Sequence, residues 1–193
     1  MKNCFLLFAL LLNLFIAGCS SPENINSNEL KKLEMKKTTD QTIEDDFIFR
    51  LVSEKAEYQE GEEVNLYGEI LYIGKKDEVI IHHSASVISF SAREEIRGYD
   101  IDYAVSEIGA STTLKKLGYP YRSGYDKGSV IKSPFDDNTE DYEKFIEELL
   151  EGDGFPLGYY TVKGIADFSA ETEGDAEKGA YKMEATIEFK VVD

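Results

Sequence analysis

The chain has 193 residues, with 38 acidic against 21 basic side chains and a formal net charge of −17. That balance argues against nucleic acid as a partner, since phosphate backbones are bound by basic surfaces. Hydrophobic content of 42%, with 12 Tyr and 11 Phe, is enough for one packed domain, and two cysteines cannot make a disulfide framework.

The N-terminus carries the signals for location. Met1-Lys2-Asn3 is a short basic start, and Phe5 to Ala17 is apolar apart from Asn13. That is the length of a signal-peptide core, too short for a permanent membrane span. Ile16-Ala17-Gly18-Cys19 then resembles the lipobox of bacterial lipoproteins. The resemblance implies diacylglyceryl transfer to the Cys19 thiol, cleavage before Cys19, and anchoring on the extracytoplasmic face of the cell membrane. Two acyl chains give stable anchoring where one does not. Cys4 falls in the part removed, so the mature chain holds no thiol for a disulfide. Residues 1–18 are therefore expected as signal peptide and 19–46, polar and charged, as a flexible tether.

The domain is expected over 47–193, where the hydrophobic period becomes two. Phe47, Phe49 and Leu51 alternate with Ile48, Arg50 and Val52 along a first strand. A turn at Tyr58–Glu62 leads to a second strand through Val64, Leu66, Ile70 and Tyr72, with Gly68 as a close-packing point. Short strands follow at 79–81, 87–90 and 99–105. Gly109 to Ser133 reads as a long loop, rich in Gly, Ser and Tyr, with at most a short strand at Thr112–Leu114. Asn138 or Thr139 caps a helix over about 139–151, in which Tyr142, Phe145, Ile146, Leu149 and Leu150 share one face and Gly152 ends it. Two strands joined by an acidic hairpin loop, 159–168 and 181–191, close the chain.

Three stretches carry a resemblance: Tyr58-x-x-Gly61-Glu62-x-Val64-x-Leu66, Gly158-Tyr159-Tyr160-x-Val162, and the alternating last strand. Together they resemble the bacterial immunoglobulin-like domains of secreted and surface proteins. The expected fold is mainly β, an immunoglobulin-like antiparallel β-sandwich with one inserted helix. The departures are the absence of Trp, of a Cys pair, and the insertion at 109–152. A second likeness, through Leu114 to Tyr121 and Gly158-Tyr159-Tyr160, is to the immunoglobulin-like intracellular proteinase inhibitors of Bacillus-type bacteria. A fold does not carry its function along.

Candidate chemistry is sparse. His82 and His83 are adjacent, so on a strand they face opposite ways and cannot share one site. Asp136, Asn138 and Asp141 form the densest oxygen cluster and are candidate Ca²⁺ ligands. They lack the Gly at position six and the distant bidentate Glu of an EF-hand loop, and helix N-capping is the plainer reading. Nothing resembles a nucleotide-binding loop. Tyr119, Tyr121, Arg122 and Tyr125 are the candidate contact residues, because Tyr and Arg bring area and a polar tip to binding surfaces. The expected function is a membrane-anchored, non-catalytic binding module with a protein or cell-envelope partner. The alternatives are modulation of an extracytoplasmic protease and, less favoured, a carboxylate-based hydrolase.

Overall fold

Alternating burial organises the chain as two facing sheets. In the computed structural model, residues 25–131, 139–171 and 178–193 are described. The elements in order are a one-turn helix α1 (Ser27–Leu30), then strands β1 (Thr39–Glu44), β2 (Phe47–Ser53), β3 (Glu57–Gln59), β4 (Leu66–Tyr72), β5 (Glu78–His83) and β6 (Ile88–Glu94). Strands β7 (Tyr99–Tyr103), β8 (Ala110–Lys115), β9 (Tyr121–Gly124) and β10 (Val130–Ile131) come next, followed by helix α2 (Glu140–Glu151), β11 (Gly158–Glu171) and β12 (Lys178–Val192).

The smaller sheet has the order β1-β2-β4-β9. The larger runs β10-β7-β6-β11-β12-β3. Its spine is the β11–β12 hairpin, paired from Gly158 opposite Val191 to Glu171 opposite Lys178. Strand β6 pairs with the first half of β11, and β5 with its far end at Ser169–His82. Strand β8 extends the sheet from β5. The core lies between the sheets. Phe47, Phe49, Leu51 and Ile70 from the small sheet meet Val162, Ala166, Phe168, Ile187 and Phe189 from the large one. Gly68 sits at a close approach: a Cβ there would lie 2.9 Å from Ile88 Cγ2 and 3.1 Å from Phe49 Cε2.

The sandwich and, among the described residues, its single long helix match the expectation, with two corrections. The pairing is not purely antiparallel, because β3 lies parallel to β12, with Tyr58 opposite Val191. Tyr58 fixes this short strand. Its ring meets Phe189 edge-on, the Lys55 amide donates to its hydroxyl, and that hydroxyl shares a hydrogen bond with Ser53 Oγ.

The second correction concerns the tether. The folded region begins well before residue 47. Strand β1 pairs along its whole length with β2, through a two-residue turn in which Asp45 takes a left-handed φ of 47° that Asp tolerates. Farther upstream, Leu30 is buried and α1 docks on β12. The Lys190 ammonium, itself buried, donates to the main-chain oxygens of Leu30 (3.2 Å), Lys31 (3.1 Å) and Leu33 (3.1 Å) and pairs with Glu57 Oε2 (3.1 Å). A cation at the end of a helical turn is favoured by the helix dipole and bonds its last carbonyls. The sequence hides this because the two halves of the contact lie about 160 positions apart. Lys190→Met should lift the arm. Amide protection over residues 27–36 should fall about tenfold or more, the worth of one or two charged hydrogen bonds, while the melting temperature drops by only a few degrees. Native-state hydrogen exchange reads both.

Helix α2 starts where the sequence places it. Thr139 Oγ1 accepts from Tyr142 N at 3.2 Å, and Glu140, Asp141 and Glu143 occupy the first turn, where the helix dipole favours carboxylates. Tyr142, Phe145, Ile146 and Leu149 are buried, the first two against Tyr99 of β7.

Candidate functional site

The expected long loop at 109–133 is largely folded. It holds β8, β9, a 3₁₀ turn at Lys127–Ser129 and β10. Strand β9 pairs with β4 and is the last strand of the small sheet. Below it the chain crosses at Tyr125–Ser129 to β10, which pairs with β7 of the other sheet. This crossing leaves one flank of the sandwich open as a cleft of about 520 Å³. Ser123 and Gly124 of β9 line one side with Asp126. Ala104 and Ser106 line the other with Ser129, whose carbonyl accepts from the Ala104 amide at 2.8 Å, and Ile88, Phe90 and Tyr103 complete the lining. On the far side of the Tyr125–Lys127 crossing is a second hollow of about 640 Å³, bordered by Glu63, Asp153 and Phe155.

The crossing is held at both ends. Asp126 caps the 3₁₀ turn by accepting from Gly128 N at 2.9 Å. Lys127 Nζ donates to the carbonyls of Gly152 (2.6 Å) and Gly154 (2.8 Å), tying the cleft wall to the end of α2. Partial burial lowers the Lys127 pKa, against the opposing pull of Asp153 and Glu63. Tyr125 fills the space under the crossing, ring to ring with Tyr103 (5.2 Å), Phe155 (5.1 Å) and Phe90 (6.4 Å). Burial pushes the phenols of Tyr103 and Tyr125 well up, so both stay neutral. Their hydroxyls act on each other electrostatically, yet neither completes a hydrogen bond.

The four expected contact residues therefore do not form one patch. Tyr119 is fully exposed on the turn before β9. Within β9, successive side chains face opposite ways. Tyr121 points inward, half-buried, with its ring 6.4 Å from that of His83. Arg122 points outward, flat over Tyr67 at 3.9 Å, and its Nη2 donates to Glu69 Oε2 at 3.0 Å. Arg50 holds the other oxygen of Glu69 at 2.8 Å, so this carboxylate is clamped between two guanidiniums. Tyr125 is a packing residue.

The histidines do face opposite sides of β5, and both are half-buried. At the upper end of the open flank, His83 Nε2 lies 2.9 Å from Thr112 Oγ1, and Nδ1 is bonded to the Ser84 carbonyl. With Nδ1–H donating to that carbonyl, Nε2 accepts the Thr112 hydroxyl proton. Residues 83 and 112 meet only through the β5–β8 pairing, so no local motif announces them. The serines of the cleft come from four separate segments and are equally silent in the sequence. Of the candidate Ca²⁺ ligands, Asp136 and Asn138 lie outside the described residues, as does Cys19, while Asp141 sits in the first turn of α2.

Chemically the cleft offers hydroxyl donors and acceptors over an apolar floor, with Asp126 as its charged side chain. Such a lining suits reversible, polar-plus-apolar recognition. The chain matches no protein-family model and no curated protein sequence.

Proposed function

We propose that this chain is a lipid-anchored extracytoplasmic binding module that acts without catalysis, through the open flank beside β9. The observation that carries the reading is the cleft itself: a preformed, hydroxyl-lined groove next to an edge strand, braced by Lys127 and Asp126. The anchor half of the proposal rests on Ile16-Ala17-Gly18-Cys19. With α1 docked on β12, few residues separate Cys19 from the folded region, a reach of roughly 20–25 Å at full extension. The domain would then stand close to the membrane. The arm docks on β12, and the cleft opens beyond β6 and β7, on the other side of β11.

Metabolic labelling with an alkyne fatty acid tests the anchor. Wild type should carry the label and sediment with membranes, and Cys19→Ala should lose both. Label retained by Cys19→Ala would refute it. Photo-crosslinking from the cleft wall in intact cells tests the binding half.

A further inference from the structure

We infer that the ligand of the cleft is an extended peptide segment, neutral to basic in charge, which adds as a strand to the free edge of β9. This rests on the binding reading above. The backbone geometry points to it first. Tyr125 N donates to Leu66 O at 2.9 Å, so its amide faces β4. In an antiparallel ladder successive residues turn their backbone groups alternately toward and away from the partner. Gly124 and Arg122 therefore aim their N–H and C=O groups away from β4, on the side where Gly124 lines the cleft. Among the described residues no strand pairs with that side.

The edge also lacks the usual protection. Proteins blunt exposed edges with charged side chains, bulges or covering loops. Gly124 has no side chain, and the Arg122 guanidinium is laid over Tyr67 on the outer face. Across the groove, the Ser106 hydroxyl can donate and accept, as an incoming backbone requires. Phe90 and Tyr103 on the floor would receive alternate side chains of the added strand. Charge sets the preference. Asp126 lies in the cleft and Glu63 and Asp153 border the hollow beyond it, while the ammonium of Lys127 is already bonded to Gly152 and Gly154. A basic side chain on the peptide would meet carboxylates.

The test uses the detergent-solubilised full chain and a phage-displayed library of linear peptides. Peptides rich in Lys or Arg should be enriched. Gly124→Pro should weaken them about tenfold, the worth of one or two hydrogen bonds, because it deletes the outward donor. Gly124→Ala keeps the donor and should bind as wild type. Ala has room, since the nearest atom to a Cβ at Gly124 is Leu66 O at 4.0 Å, and Pro is tolerated where an edge N–H faces outward. As a reading independent of any variant, amide exchange at Arg122 and Gly124 of the wild type should slow on peptide addition. Equal affinity for Gly124→Pro, unchanged exchange at those amides, or no enrichment would each overturn strand addition. A partner still captured from the cleft wall in cells would then leave the binding reading standing, and its absence there would remove both.

Discussion

Glu94→Ala should destabilise the protein by about 3–5 kcal/mol, lowering the melting temperature by roughly 10 °C or more. Glu94 is fully buried at the end of β6. Its Oε1 accepts from the amides of Ile96 (3.2 Å) and Tyr159 (3.1 Å), and its Oε2 from the amide of Arg97 (2.6 Å). Arg97 adds the charge partner, with Nη1 3.6 Å from Oε2, and donates to Leu157 O at 2.9 Å while lying over the Phe145 ring. One carboxylate thus fixes the β6–β7 turn, the start of β11 and a face of α2. Gly158 is required beside it, since a Cβ there would lie 2.9 Å from Glu94 Oε1. Removing the carboxylate leaves three amides without their acceptor and a largely buried guanidinium without its counter-charge, and such orphaned groups cost more than the bond itself contributes. Glu94→Gln should cost less, because it keeps one accepting oxygen. Thermal and urea unfolding of the two variants check the order. A Glu94→Ala protein as stable as wild type would mean that this network is not a structural anchor.

Tyr125→Ala should cost about 3–5 kcal/mol, as expected for a large aromatic truncated in a packed interior. Tyr119→Ala, on a fully exposed residue, should change stability by less than about 0.5 kcal/mol. The informative control is Tyr125→Phe. The hydroxyl is sealed from solvent without a hydrogen-bond partner, so deleting it should leave stability unchanged or raise it by up to about 1 kcal/mol. A clear loss in Tyr125→Phe would show that the hydroxyl is satisfied in solution. These differences separate a packing residue from a contact residue within one short segment.

Residues that repeat at a regular period were legible from the chain alone. The alternation in β2, β4 and β12 and the apolar face of α2 lie within single elements, where local pattern and burial agree. What stayed hidden depends on distant pairing. Leu30 and Lys190 fold the N-terminal arm onto β12 across the length of the domain, so a polar stretch that reads as tether contains structure. Strand β9 is four residues, Tyr-Arg-Ser-Gly, with Pro before it and no alternating run long enough to detect. Missing that strand grouped Tyr121, Arg122 and Tyr125 as neighbours, although the pleat sends the first two to opposite faces and the crossing buries the third. The cleft arises because, among the described residues, no strand lies beside the outer edge of β9, and no residue type encodes that. Glu94 looked like one acid among 38, and only its burial singles it out.

Photo-crosslinking in intact cells, with a photoreactive residue placed at Ser106 on the cleft wall or at Ile48 on the outer face of the small sheet, tests directly whether the cleft is the working surface. A discrete adduct is expected from position 106, none from position 48, and a weaker position-106 adduct in the Gly124→Pro background. An adduct from position 48 alone, or from neither position, would contradict the cleft as the working surface.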